Sequence, residues 1–250
     1  MKNNFYDKVA KKFGGYHTDA RYPKEYPNGD PEKVFKEKLL ELSGKNKVVL
    51  DVGCADGRFT LSIASNFNKV VAIDLSKGML DSAEKYQKEK KIINVSFEEQ
   101  DASKVSYPNN YFDVIYSRRG PTPFSEFYRL LKPNGYFIGI NIGEKDAIDL
   151  KKVFKRGQNY EVWNKTSRLK KDKLKLIQER FEIITAKDFI YDEYYQTYED
   201  IDLFLQGVPI FEDYNPIKDK KYLDEYVNKF KSDKGIKLLR HRVVILARKL

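Results

Sequence analysis

The chemistry of this chain concentrates in aspartates set at the ends of apolar runs. In Val48–Arg58, VVLDVGCADGR, an apolar run gives way to a turn carrying Gly53 and Gly57, with Asp51 before it and Asp56 inside it. Glycines there let the backbone turn tightly and meet a ligand with no side chain in the way. A dinucleotide fingerprint would read G-x-G-x-x-G, whereas this loop reads G-C-A-D-G, with Ala55 at the middle position. Two acids make a poor pyrophosphate cradle, which argues against a nicotinamide oxidoreductase, and they suit an ammonium or sulfonium charge. Asp74 closes the next apolar run, VVAIDLS, where a carboxylate can accept both hydroxyls of a ribose. Asp101, in QDAS, stands where an exocyclic adenine amine can be read. Taken alone, the glycine loop is equally a strand-to-helix turn with no ligand; Asp74 and Asp101 in register with it tip the reading toward a nucleoside.

Other reactive side chains are few. His17 lies in FGGYHTDARY, where paired glycines form a hinge and the imidazole becomes a base candidate if the hinge closes; the duller reading is a solvated histidine. His241 reads as structural, and Cys54, inside the turn, reads as packing rather than as a nucleophile. No metal-ligand spacing is visible. Arg118 and Arg119, in SRRGP, offer guanidiniums to a substrate carboxylate or phosphate, or pair with nearby acids. Tyr191, Tyr194, Tyr195 and Tyr198, like Trp163, either line an aromatic pocket or pack a cap onto the sheet.

The elements that must position these residues alternate. Asp30 and Pro31 supply an N-cap and a first-turn proline for a helix ending near Gly44. Strands are expected at 47–52, 69–73, 92–97, 113–116 and 136–141, with helices at 58–66, 76–90 and 123–131 between them. Such alternation predicts an α/β fold with a mostly parallel sheet covered on both faces. Further on come a helix at 169–181, a strand at 182–191 and a final apolar strand at 242–247. The expected organisation is a lid segment, 1–30, and one domain, 31–250, with insertions at about 143–166 and 192–241. The second insertion contains two helices and is too long for a simple hairpin.

In this order DVGCADG, AIDLS, QDAS, FDVIYS and LLKPNGYFIGI, covering about 47–141, resemble the class I S-adenosylmethionine-dependent methyltransferases. The resemblance implies a Rossmann-like seven-stranded sheet with one antiparallel strand, matching 242–247. It implies that Asp51, Gly53, Cys54, Ala55, Asp56 and Gly57 hold the methionine moiety and Asp74 the ribose. Leu75 and Met79 would flank the adenine, Asp101 and Ala102 would read its amine, and Ser117 and Arg118 would face the methyl donor. The cofactor would be S-adenosyl-L-methionine, leaving as S-adenosyl-L-homocysteine, and the leader FYDKVA resembles the lid of many small-molecule members. Ala55 replaces the family's usual glycine.

Composition bounds the rest. The chain has 250 residues, 41% hydrophobic and 34% charged, with one cysteine and no apolar run long enough to span a bilayer, so a cytoplasmic enzyme without membrane partner is expected. The formal charge of +10 is uneven. Ten Lys and Arg against two acids give +8 over Lys151–Lys175, eight acids give −8 over Asp188–Tyr214, and the remainder to Leu250 carries +7. These blocks can neutralise one another in the fold. They also motivate a rival to a small-molecule acceptor, rRNA or tRNA methylation through the 151–175 block. Against it, SRRGP stands where methyltransferases acting on base amines carry an NPPY-type turn. A non-catalytic cofactor-binding protein is the third reading. A sulfonium is already a good leaving group, so the missing acid–base pair does not argue against methyl transfer. Oligomeric state is not legible.

Overall fold

The structure is a computed structural model that describes residues 4–162 and 166–250; Trp163 lies outside them. The leader forms α1 (Asn4–Phe13) and a short edge strand β1 (Lys24–Glu25) before α2 (Pro31–Glu41), whose first turn is capped by the Asp30 carboxylate accepting from Glu32 and Lys33 N–H. The βα alternation then runs β2 (Gly44–Val52), α3 (Arg58–Ile63), β3 (Phe67–Asp74), α4 (Lys77–Lys90), β4 (Val95–Glu99), β5 (Phe112–Arg118), α5 (Phe124–Leu130) and β6 (Leu131–Ile142). After it come α6 (Ile148–Phe154), α7 (Arg168–Gln178), β7 (Phe181–Tyr195), α8 (Tyr198–Gly207), α9 (Lys220–Phe230), β8 (Lys231–Ser232) and β9 (Gly235–Lys249).

The strands lie in the order β1-β7-β9-β6-β5-β2-β3-β4. β2 to β6 are mutually parallel and β9 runs antiparallel to both β6 and β7. The expected antiparallel strand is therefore present, and two short ones add to it: β1 pairs antiparallel with β7, and β8 with β9. Alternate residues of the central strands point to opposite faces. Val49, Val70, Val114, Ile138 and Val244 meet Phe35 and Leu39 on one face, while Leu50, Val71, Ile115, Phe137 and Val243 meet Phe124, Phe127 and Leu176 on the other.

Several boundaries differ from expectation, and two of them have a plain local cause. β4 begins at Val95, because Ile92 lies beyond the left-handed C-cap Lys91, with its N–H returned to Gln87 O. β7 and β9 extend to Tyr195 and down to Gly235, so the cap inserts across 196–234 rather than 192–241. The cap is a third cluster in which α6, α8 and α9 bury Leu150, Phe154, Phe204, Leu205, Leu223 and Tyr226 against Tyr195 and Leu238. Tyr195 joins the cap cluster and stacks on Tyr22 at 4.8 Å, so it packs the cap to the sheet, whereas the Tyr194 hydroxyl donates to Glu25 of β1. The charge blocks do pair: Arg156 reaches Asp213 and Asp219, Lys237 reaches Asp192, and Arg240 reaches Glu193.

Candidate cofactor and acceptor site

The carboxyl ends of β2, β3 and β5 place the glycine loop beside Asp74. Gly53 (φ +75°) and Gly57 (φ +69°) hold left-handed backbone. A Cβ on Gly57 would stand 2.6 Å from the Phe97 ring. Ala55 is also left-handed (φ +47°), a conformation that costs an L-residue roughly 1–2 kcal/mol. The strain aims its N–H at Asp74 Oδ2, 2.9 Å away, while Asp74 Oδ1 accepts from Ser76 N–H at 2.9 Å. Each oxygen keeps a further acceptor position, which matches a pair of vicinal hydroxyls. Burial raises the Asp74 pKa against the pull of these N–H groups. Leu75, half exposed beside it, offers an apolar face to a base.

Asp51 is buried, and its Oδ2 accepts from Thr60 Oγ1 at 2.5 Å and from the Tyr116 hydroxyl at 2.6 Å. Burial pushes its pKa up to about 6 in spite of both hydrogen bonds. Such a carboxylate gains from a cation placed nearby. Left-handed loop, two-handed Asp74, exposed Leu75 and buried acid together fit a nucleoside joined to a positively charged group.

The other expected positions divide. Ser117 is buried on Pro121 O, and Cys54 is buried with its thiol pKa raised by desolvation, so it is packing. Ala102 sits in the core, and Asp101 stands exposed at the sheet edge with Oδ1 on Ser103 N–H and Oγ. Asp56 departs from its expected role as a cation partner: Arg58 Nε and the Tyr16 N–H already hold its Oδ2, at 2.9 and 2.7 Å. Arg118 and Arg119 both bond Glu32 of α2, at 2.8 and 2.7 Å, instead of standing free for substrate. Although burial opposes it, these guanidiniums hold Glu32 at about 2.

α1 lies over the loop. Val9 and Ala10 of α1 bury Met79, with Tyr6, Tyr16 and Ala55 packed alongside. Two carboxylates latch it. Asp7 Oδ1 accepts from Ser76 Oγ at 2.6 Å and Gly78 N–H at 3.2 Å, and Asp56 holds the Tyr16 N–H. Gly14 (φ +71°) and Gly15 lie between the latches, and a Cβ on Gly15 would stand 2.7 Å from Asp56 Oδ2. His17 follows the hinge, its Nδ1 enclosed without a partner. His241 is buried, accepting from Lys145 N–H at Nδ1 and facing Asp188 through Nε2.

A family model described as "Methyltransferase domain" matches residues 43–200, the span that carries the elements from β2 to β7. The chain belongs to the class I S-adenosylmethionine-dependent methyltransferases. Phosphoethanolamine N-methyltransferase 3 of Arabidopsis thaliana is 38% identical over 146 residues, 52% of this chain and 29% of that protein. A demethylmenaquinone methyltransferase of Geobacillus sp. (strain WCH70) is 28% identical over 120 residues, 44% of this chain and 51% of that protein. The matched segment thus spans less than a third of the plant protein and about half of the bacterial one. Among solved structures, a putative methyltransferase from Bacillus halodurans C-125 superposes with a TM-score of 0.62 at 23% identity, covering 85% of this chain and 97% of that one. A functionally unknown protein from Deinococcus radiodurans R1 superposes at 0.63 with 22% identity, covering 98% and 99%. Both share the methyltransferase fold.

Sequence reasoning missed four contributors. Glu32, the partner of both arginines, lies 86 and 87 positions away from them. Asp7 was hidden in an amphipathic leader. Arg240 and Arg242 were assigned to the end of a cap and the start of an apolar strand, although two charges at i, i+2 in LLRHRVVILA announce one polar stripe on a single sheet face.

Proposed function

We propose that the chain transfers a methyl group from S-adenosylmethionine to a small-molecule acceptor by direct in-line displacement. The carrying observation is Asp74, pinned by Ala55 and Ser76 N–H with one acceptor position left on each oxygen. In this reading Asp51–Gly57 hold the methionine portion, Asp74 the ribose, and Leu75, Met79, Asp101 and Ala102 surround the adenine. Residues 1–30 act as a lid on a domain formed by 31–250. The cofactor supplies a methyl group activated on a sulfonium. The protein's own work is to bring the acceptor within about 3 Å in line with that methyl and to shut out water, which the α1 lid does from above. Ser117 and Arg118 border the acceptor's approach, and His17 is the base candidate for an acceptor that must lose a proton.

Calorimetry with S-adenosylhomocysteine tests the cofactor half. Wild type should bind, and Asp74→Ala should bind roughly 5- to 150-fold more weakly, the equivalent of about 1–3 kcal/mol. No binding to wild type at millimolar ligand refutes the reading. Labelled cofactor tests the acceptor half, and phosphoethanolamine and demethylmenaquinone, the acceptors named by the relatives, are the first to screen. Two rivals have their own observations. Lys170, Lys171, Lys173 and Lys175 are exposed on α7, which favours RNA; affinity for RNA that does not fall between about 50 and 200 mM salt removes it. The closed lid also fits a protein that binds cofactor without turnover, and methyl transfer to any acceptor eliminates that reading.

A further inference from the structure

Four arginines converge beside the cofactor site, on the face that α1 and α2 cover. Arg118 ends β5, Arg119 follows it, and Arg240 and Arg242 project from the start of β9, which lies at the same end of the sheet because Arg242 pairs with Ile142 at the end of β6. Their carboxylate partners alternate with them. Glu32 takes Arg118 and Arg119, Asp146 Oδ1 takes Arg240 Nε at 3.0 Å and Arg242 at 2.6 Å, and Glu193 takes Arg240 at 3.0 Å. The cluster also holds Lys151, buried near Asp146. Five cations thus face three carboxylates.

Arg242 is where the excess is exposed to chemistry rather than to water. It is 2% exposed, it shares Asp146 Oδ1 with Arg240 and with the His241 N–H, and its Nε is buried without a hydrogen-bond partner among the described residues. A buried guanidinium N–H left unpaired is costly, and an anion is its natural complement. Tyr191 stands directly opposite Arg240 in the β7–β9 ladder, and Tyr16, half-buried against α1, lies in the field of all four guanidiniums. Phenol hydroxyls set among guanidiniums are the donors that complete an oxyanion's shell.

We propose that Arg242, with Arg119, Tyr16 and Tyr191, binds an anionic group on the methyl acceptor, a carboxylate or a phosphate. This rests on the methyl-transfer reading for its meaning but not for its test. The geometry shifts the main anchoring role from the SRRGP turn to the start of β9: the turn's two arginines share the one carboxylate of Glu32 and keep a single net positive charge, whereas Arg242 also keeps an unused donor.

The experiment titrates the full-length protein with inorganic phosphate and, separately, acetate, each with and without saturating S-adenosylhomocysteine, following heat or tyrosine chemical shifts. Wild type should bind at least one of them below about 10 mM, and the tighter of the two names the acceptor's group. Arg242→Lys keeps a cation on Asp146 but removes Nε–H, and should lose about tenfold or more in anion affinity while binding S-adenosylhomocysteine within twofold of wild type. If Arg242→Lys fails to fold, Arg119→Gln, at the more accessible end of the cluster, should show the same separation. The proposal is overturned if neither anion binds wild type, or if the folded variant binds both unchanged. Anion binding without S-adenosylhomocysteine binding would instead sink the methyl-transfer reading and leave the anion site standing.

Discussion

Replacing Asp51 by Asn separates what the buried carboxylate does for the fold from what it does for the ligand. In the folded chain its pKa rises from 3.8 to about 6. At 1.36 kcal/mol per unit, that is about 3 kcal/mol. A group whose folded pKa lies above its unfolded value stabilises fully below the unfolded value and loses that contribution as pH rises through the folded one. Measured against a neutral side chain, Asp51 therefore costs the fold almost nothing below about pH 4 and opposes it by that amount well above pH 6. An asparagine has no charge to desolvate and still presents an oxygen to Thr60 and Tyr116, at a loss of about 1 kcal/mol for weaker acceptance. The net gain at pH 8 is about 2 kcal/mol, or roughly 4–8 °C in Tm for a chain of this size. Thermal unfolding of both proteins without ligand at pH 8 and pH 4 measures it, and the gain should vanish at pH 4, near the unfolded value, where little of the desolvation penalty remains. S-adenosylhomocysteine affinity at pH 8 should fall in the same variant. A variant less stable than wild type at pH 8, with unchanged ligand affinity, would refute the claim that this charge is kept for a ligand at the expense of the fold.

Other outcomes follow from single contacts. Gly15→Ala places a Cβ 2.7 Å from Asp56 Oδ2, so the lid latch should fail; faster limited proteolysis within 1–20 and lower turnover would show it. Gly57→Ala meets the Phe97 ring at 2.6 Å in left-handed backbone and should cost about 2 kcal/mol or more by urea unfolding, with wild-type stability refuting the close approach. Glu32 is depressed to about 2, so its contribution is present above its unfolded value near 4.5 and lost as pH falls toward 2; Glu32→Gln should flatten that acid limb in a denaturation series. His17→Ala should reduce kcat for an acceptor that must be deprotonated while leaving S-adenosylhomocysteine binding within twofold.

The parallel half of the fold was legible because each β-branched run ends in a glycine, an aspartate or a cap that also does local work. Asp30 and Ser76 each announce a helix and are found capping it. The second half was less legible. α6 hides Ile148, Leu150, Val153 and Phe154 in a segment dominated by charge, and its apolar face is satisfied only by the cap. β7 and β9 carry Tyr, Asp, Glu, Lys and Arg over their outer halves, so their periodicity breaks although the ladder continues to Tyr195 opposite Ile236. Within the site, Asp51, the glycines and Asp74 are close in sequence and could be read together. Glu32–Arg119 and Asp146–Arg242 pair across 87 and 96 positions, a relation only the folded sheet creates.

Asp7 and Asp56 fasten the leader on either side of the glycine loop, and the arginine cluster lies under the same leader. On the proposed reading one gate serves donor and acceptor alike, and both products leave through it. In such an arrangement traffic, rather than bond-making, sets the pace of steady-state turnover. Heavy isotopes in the transferred methyl would then leave kcat untouched while still slowing a single turnover started from the loaded, closed enzyme.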